Sequence, residues 1–224
     1  MLMTQDGLSN MRVNSIKGYA FLATAFLVAF VAFFYLVYRP WQLSWGATAD
    51  EVARPMVGDG LVKNPTFNAT RAVTINAPAE RIWPWIVQIG YKRAGFYSWD
   101  ILDNDGIPSA ERIMPEYQDL KIGDFVPLSE ETDAEVVNLE PNRALLLVFQ
   151  SDGTVTWAWA LYKIDADRTR LVTRLRWRTT SVVSQFVLDA FEIVMMRKCL
   201  LGIKRRAETA MEQSQYSDAG SGLY

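Results

Sequence analysis

From Gly18 to Tyr38 the chain reads GYAFLATAFLVAFVAFFYLVY, without a charged residue. As a helix this run is ~31 Å long, which matches the hydrocarbon core of a bilayer. Lys17 and Arg39 bracket it, and Tyr35, Tyr38, Trp41 and Trp45 place an aromatic belt at one end. The reading is a single transmembrane helix over 18–38. Two alternatives are a buried core helix and a cleaved signal peptide. Core helices are seldom apolar all round for this length. Ala47-Thr48-Ala49 has a cleavage-site form, but the apolar run is long for a signal peptide and ends well upstream of it. Arg12 and Lys17 before the span balance Arg39 and Arg54 after it, so charge does not choose an orientation.

Beyond Arg39 the chain carries 20 basic and 24 acidic residues. There is no basic excess to neutralise phosphates, which argues against a nucleic-acid partner. Histidine is absent from all 224 residues and Cys199 is the lone cysteine. That removes Ser-His-Asp and Cys-His nucleophiles, histidine-zinc sites, internal disulfides and cysteine clusters together. No cofactor or metal is implied. Half of the chain is hydrophobic and 12% is aromatic, so a sizeable core is expected.

Residues 39–69, with Pro40, Pro55 and Pro65, read as an irregular lead-in. Thr70–Ala77 alternates as a strand. Pro78 then opens a helix that runs to Gly90, with a kink or break expected at Pro84. A short helix is expected over Ser98–Asn104, and a short strand over Phe125–Leu128. Further strands are expected over Ala134–Leu139, Ala144–Phe149, Thr154–Ile164 and Thr169–Thr179. Pro141-Asn142, Ser151-Asp152-Gly153 and Asp165-Ala166-Asp167 separate them, and such short turns imply an antiparallel meander. A long helix over Val183–Glu212 closes the fold, with Phe186, Ala190, Phe191, Val194, Met195, Leu201 and Ile203 on one side. The layout is α+β: about six or seven curved antiparallel strands wrapped on one long C-terminal helix. A sheet curled in this way commonly encloses a cavity.

Several short motifs occur in a specific order. Trp45-Gly46-Ala47-Thr48, Gly58-Asp59 and Thr70-Arg71-Ala72 come first. Ala77-Pro78, Trp83-Pro84-Trp85, Gln88-Ile89-Gly90 and Arg93-Ala94-Gly95-Phe96-Tyr97-Ser98 follow. Gly123-Asp124, Thr169-Arg170-Leu171 and Leu201-Gly202-Ile203-Lys204 complete the set. Together they resemble the SRPBCC superfamily, in particular its bacterial polyketide-cyclase-like members, over about residues 45–210. The resemblance implies a helix-grip fold, as in START lipid-transfer domains, with a deep apolar cavity between sheet and helix. It supplies no catalytic motif, and the membrane span lies outside it. The chain then divides into a short tail (1–17), the span (18–38), the lead-in (39–69), a helix-grip domain (70–213) and a flexible tail (214–224).

Asp103-Asn104-Asp105-Gly106 resembles the start of a calcium loop, but setting Gly106 at position six puts Ile101 and Arg112 at ligand positions, so a solvated turn is expected. Gln88–Asp100 concentrates polar and aromatic types. Arg93, Tyr97, Trp99 and Asp100 there either form a cavity mouth, with Arg93 on an anionic headgroup, or pair and pack. Trp85 precedes them on the helix. Trp157 and Trp159 share one strand face and line or fill the cavity, and Phe191 and Met195 supply the helix wall. Arg170, Arg174, Arg176 and Arg178 share a face of the last strand, either exposed and paired with acids or reaching an anionic ligand in the cavity. Arg197, Lys198, Lys204, Arg205 and Arg206 are either a solvated helix face or a contact for anionic lipid, at ~1 kcal/mol per close charge.

These readings converge on a membrane-anchored, single-pass domain of a bacterial cytoplasmic membrane that binds an apolar small molecule or lipid. The alternatives are a cyclase or dehydratase working with Asp100, Glu111, Tyr97 or Arg93, and an accessory membrane protein whose core is filled solid. A carboxylate in the cavity with a raised pKa would favour the enzyme.

Overall fold

The computed structural model describes the backbone of residues 5–151 and 153–221 and the side chains of residues 18–151 and 153–210. Asp152 of the expected Ser151–Gly153 turn and the last three residues of the expected tail lie outside the described residues. The chain forms two units, Met1–Trp41 and Gln42–Tyr224.

In the first unit, helix α1 spans Gln5–Phe33 and a π-helical turn spans Phe34–Tyr38; helix α2, Arg39–Leu43, starts here. The π turn places Phe34 on Tyr38, with ring centroids 5.5 Å apart, and Tyr38 packs on Trp41 at 5.8 Å. The stretch Gly18–Leu43 is long and apolar enough to cross a membrane, and its most apolar window has no buried residue.

In the second unit, strands β1 (Phe67–Ile75), β2 (Phe125–Pro127), β3 (Asp133–Glu140), β4 (Ala144–Gln150), β5 (Thr154–Lys163) and β6 (Thr169–Trp177) form one sheet. The order is β1-β6-β5-β4-β3-β2, antiparallel throughout, with a register shift between Val136 and Asn138. Strand β1 therefore crosses to the far edge and the other five form a meander. Asn142, at φ 61°, makes the β3–β4 turn, since asparagine tolerates the left-handed region. The remaining helices are α3 (Ala49–Ala53), α4 (Ala79–Val87), α5 (Asp100–Asp103) and α6 (Val182–Ser221). This is an α+β helix-grip fold with six strands, with α6 packed against β1 and α4.

The period-two alternation of the strands sorts side chains onto two faces. Leu147, Trp157 and Leu175 are register partners on the inner face, as are Leu145, Trp159 and Thr173. With Ile82, Trp85 and Ile86 of α4 and Met196, Cys199, Leu200 and Ile203 of α6, the inner face builds the main core. Ala72, Leu146, Ala158, Ala160 and Val172 point outward and form a second core with Met56 of the lead-in. All strands, the long helix and all core clusters lie within the second unit, which thus has its own core.

Four expectations need adjusting. Helix α4 is one piece, with Pro84 inside it and not at a break. The lead-in is not irregular throughout. It contains α3, capped by a reciprocal Thr48–Glu51 capping box, and covers the outer face of the sheet. Helix α6 continues to Ser221, beyond Glu212, and there is no proline or glycine between Gly202 and Gly220 to stop it. Its buried stripe is also rotated: Leu188, Asp189, Ile193, Met196, Cys199, Leu200, Ile203 and Ala207 face inward, while Phe186, Phe191 and Val194 are exposed. Apolar residues occur all round this part of the helix, so hydrophobic spacing alone does not select a face.

Gly202 lets α6 approach the preceding layer. A Cβ there would lie 2.4 Å from the Tyr97 carbonyl oxygen and 2.7 Å from the Tyr97 Cβ. Overpacking against backbone costs up to ~3 kcal/mol, while alanine gains ~1 kcal/mol of helix propensity. Gly202→Ala is expected to lose ~2 kcal/mol net, read as a lower urea midpoint at unchanged slope.

Candidate functional site

Between the inner face and α6 lies a cavity of about 230 Å³ that opens to solvent. Its wall is mostly hydrocarbon, sulfur and aromatic ring: Phe96, Leu128, Phe149, Trp157, Leu175, Met195, Met196 and Cys199. Each element delivers its share by its own periodicity. Trp157 and Leu175 are cross-strand partners on β5 and β6, and Glu192, Met195, Met196 and Cys199 recur at helical spacing on α6. Trp157 spends its indole N–H on Thr173 Oγ1 at 3.0 Å and stacks on Phe96, centroids 6.4 Å apart.

Three polar side chains reach this wall: Ser98, Asp103 and Glu192. Ser98 has one hydroxyl proton and donates it to the Met195 carbonyl at 3.0 Å. Glu192 forms an ion pair with Arg71, a residue of β1 that is only 1% exposed. Arg71 also donates from Nε to the Gln42 carbonyl (2.8 Å) and from Nη2 to Gln42 Oε1 (2.6 Å). Burial raises the Glu192 pKa and the Arg71 guanidinium pulls it back.

Asp103 is different. Both its carboxylate oxygens are shielded from solvent and neither has a hydrogen-bond partner. Burial, and then the neighbouring Asp100 carboxylate, push its pKa up to about 6, while the Lys198 cation acts in the opposite sense. The same surroundings, burial first, hold the Cys199 thiol well above its usual range, so it is an inert wall group. Among the described residues no group of three or more histidine, cysteine or acidic side chains could hold a metal ion.

A carboxyl group with a folded pKa near 6 and an ordinary value of 3.8 contributes stability that is complete below 3.8 and is lost as pH rises through about 6. Asp103→Asn is therefore expected to melt higher than the wild type at pH 8, with the gap closing toward pH 4. A pH series of thermal melts checks this. A gap independent of pH would show that the carboxylate is not strained.

The residues singled out from the sequence are dispersed. Trp157 and Met195 line the cavity. Trp159 lies behind Trp157, ring centroids 4.8 Å apart, 1% exposed and in the solid core. Trp85 is also core, edge-on to Tyr97. Tyr97 is buried at φ 58°, and its hydroxyl donates to the Trp85 carbonyl (3.0 Å) and accepts from Gln88 Nε2 (2.9 Å). Tyr97 and Asp100 border a separate, more polar cleft with Ser109, Lys198, Arg205 and Arg206. Asp100 accepts from Ser109 Oγ at 2.5 Å, and Glu111 is paired with Arg205 and Arg206. Trp99 is 48% exposed beneath Lys198 Nζ, 3.7 Å from the ring centroid. Arg93 faces away from the cavity, over the Tyr117 ring at 4.7 Å, and donates to the Val87 carbonyl. Phe191 is 58% exposed, edge-on to Phe186. The Asp103–Gly106 turn is not simply solvated: Asn104 is fully buried, accepts from the Lys92 amide and donates to the Ile107 carbonyl, and Lys92 pairs with Asp105.

Sequence reading passed over Glu192 and placed Asp103 in a solvated turn, not in the cavity wall. Glu192 carried a signal, a carboxylate in the buried stripe of α6 at the i−4 and i−7 positions from Met196 and Cys199. Asp103 carried no signal that it faces a cavity: it closes a four-residue helix that is half acidic.

No protein-family model and no curated protein matches the chain. Among solved structures it is similar to a Polyketide_cyc-like protein from Corynebacterium glutamicum, at 19% identity over 68% of this chain and 97% of that one, TM-score 0.37. It is similar to the Zhui aromatase/cyclase from a Streptomyces species, at 17% identity over 63% and 93% of the two chains, TM-score 0.41. It is also similar to Aha1 from Colwellia psychrerythraea, at 14% identity over 63% and 96%, TM-score 0.40. The helix-grip assignment stands on the strand order and the long helix described above.

Proposed function

We propose that this domain binds a small apolar molecule in the cavity between sheet and C-terminal helix, and that the molecule presents a hydrogen-bond donor to Asp103. One observation carries the reading: a mostly apolar wall contains, beside the engaged Ser98 and Glu192, a carboxylate whose two shielded oxygens have no partner. Burying ligand surface supplies affinity at ~25 cal/mol per Å², and the donor supplies selectivity. At about 230 Å³ the cavity is just below the ~300–1,000 Å³ of drug-sized sites. This favours a fused-ring compound or one end of an acyl chain over a whole lipid. The open volume also favours binding over a core filled solid. The apolar N-terminal helix supports a domain held at a membrane, where such molecules concentrate.

Calorimetry on residues 40–224 with naphthalene, 2-naphthol and 2-naphthoate tests this. A hydrogen bond to a charged group contributes ~1.5–3 kcal/mol, so 2-naphthol should bind about ten- to a hundredfold more tightly than naphthalene, and 2-naphthoate should be repelled. Met195→Trp, which fills the cavity from its partly exposed wall, should abolish binding of all three. No binding of any probe to the wild type would end the proposal.

One observation favours a second reading. With a pKa of about 6, Asp103 can both give and take a proton near neutrality, as a cyclase or dehydratase step requires. Under that reading, the molecule recovered from Asp103→Asn protein differs from that recovered from the wild type by the elements of water. Identical masses support binding alone.

A further inference from the structure

The first half of α6 turns apolar side chains toward solvent. Val182 is 85% exposed, Val183 73% and Phe186 58%, and Val187, Phe191 and Val194 are also exposed. Phe186 and Phe191 touch edge to face, so this is a continuous patch and not scattered residues. Isolated exposed hydrophobic residues are ordinary, whereas contiguous ones mark an interaction surface. Helix α5 exposes two more, Ile101 and Leu102. The Ser98–Trp99 segment that leads into it is fastened to α6 by the Ser98–Met195 hydrogen bond and by Lys198 over Trp99.

The charges along this stretch of α6 are one-sided. Between Val182 and Lys198 the helix has two carboxylates, and both are turned inward: Asp189 is 4% exposed and Glu192 is spent on Arg71. The charged groups left at the surface of this stretch are cations, Arg197 and the half-buried Lys198. An apolar helix face edged by cations and free of exposed carboxylates is the pattern of a helix lying in the headgroup layer of an anionic bilayer.

We infer that the Val182–Val194 face of α6 docks into the surface of an anionic membrane. The same chain carries a helix long and apolar enough to cross one. The inference does not depend on what the cavity holds. Glu192 and Met195, on the same helix, line that cavity, so docking places one of its walls at the lipid surface.

The test uses the full chain in vesicles of phosphatidylcholine, with or without phosphatidylserine, that contain bromine-bearing acyl chains. A bimane label is attached at Phe186→Cys, at Val183→Cys or, as a control, at Glu131→Cys in the exposed β2–β3 turn. Native Cys199 is 1% exposed and does not compete for label. The expected result is several-fold bromine quenching at 183 and 186, stronger with phosphatidylserine, and none at 131. A Val187→Asp/Phe191→Asp pair, both at exposed positions, should abolish quenching while the circular dichroism spectrum stays unchanged. Labels at 183 and 186 that remain unquenched in both vesicle types would overturn the inference. So would self-quenching between labelled chains without bromine, which would assign the patch to a second copy of this chain.

Discussion

Arg174→Met should destabilise the domain by ~3–5 kcal/mol, the cost of removing one partner of a buried ion pair. Arg174 is only 3% exposed, on the outer face of β6. Its guanidinium donates to Thr70 Oγ1 (2.8 Å), to the Arg54, Glu51 and Val52 carbonyls (2.9 Å each) and to Asp59 Oδ2 (2.7 Å). Arg170 holds Glu51, and Arg176 shares Asp59 and donates to the Val62 carbonyl. Arg170, Arg174 and Arg176 are thus neither solvated nor inside the cavity; they clasp the lead-in, while Arg178, past the end of β6, is exposed as one reading of the face expected. Methionine would fill the volume but leave the Asp59 carboxylate and three carbonyls poorly satisfied. The loss should begin locally, and trypsin should cut at Lys63 before the sheet unfolds. Cleavage there no faster than in the wild type would show that the small outer core holds the lead-in unaided.

Arg71→Met should cost a similar ~3–5 kcal/mol, with a different signature. It strands Glu192, whose pKa burial already raises. Without the guanidinium that value rises further. The native state then takes up a proton that the unfolded state does not hold at the same pH. Stability of the variant should therefore recover as pH falls through the raised value. Arg71→Met/Glu192→Met should recover most of the loss at neutral pH, because a hydrophobic pair replaces a buried ion pair at little cost. A double mutant no more stable than Arg71→Met would locate the cost in the two Gln42 hydrogen bonds instead.

The strands were legible because their evidence is local. Alternation and turn residues such as Asn142 bound β3, β4, β5 and β6 closely. The lead-in was not, because its order comes from partners far along the chain: Asp59 meets Arg174 across 115 positions. The cavity was half legible. Trp157 and Met195 follow from strand and helix phase, whereas the exposure of Phe191 follows from which side of an all-round apolar helix the sheet takes. Asp103 was invisible for a related reason. An unsatisfied carboxylate is defined by what fails to surround it, and a linear pattern records only neighbours in the chain.

Gln42, Arg71 and Glu192 form a chain of three side chains that joins the domain's first residue to the cavity wall. One guanidinium is shared between the two ends. A pull on the polypeptide where it enters the domain is borne first by the groups that hold Glu192 in place, so the entry point and the cavity wall are mechanically a single joint.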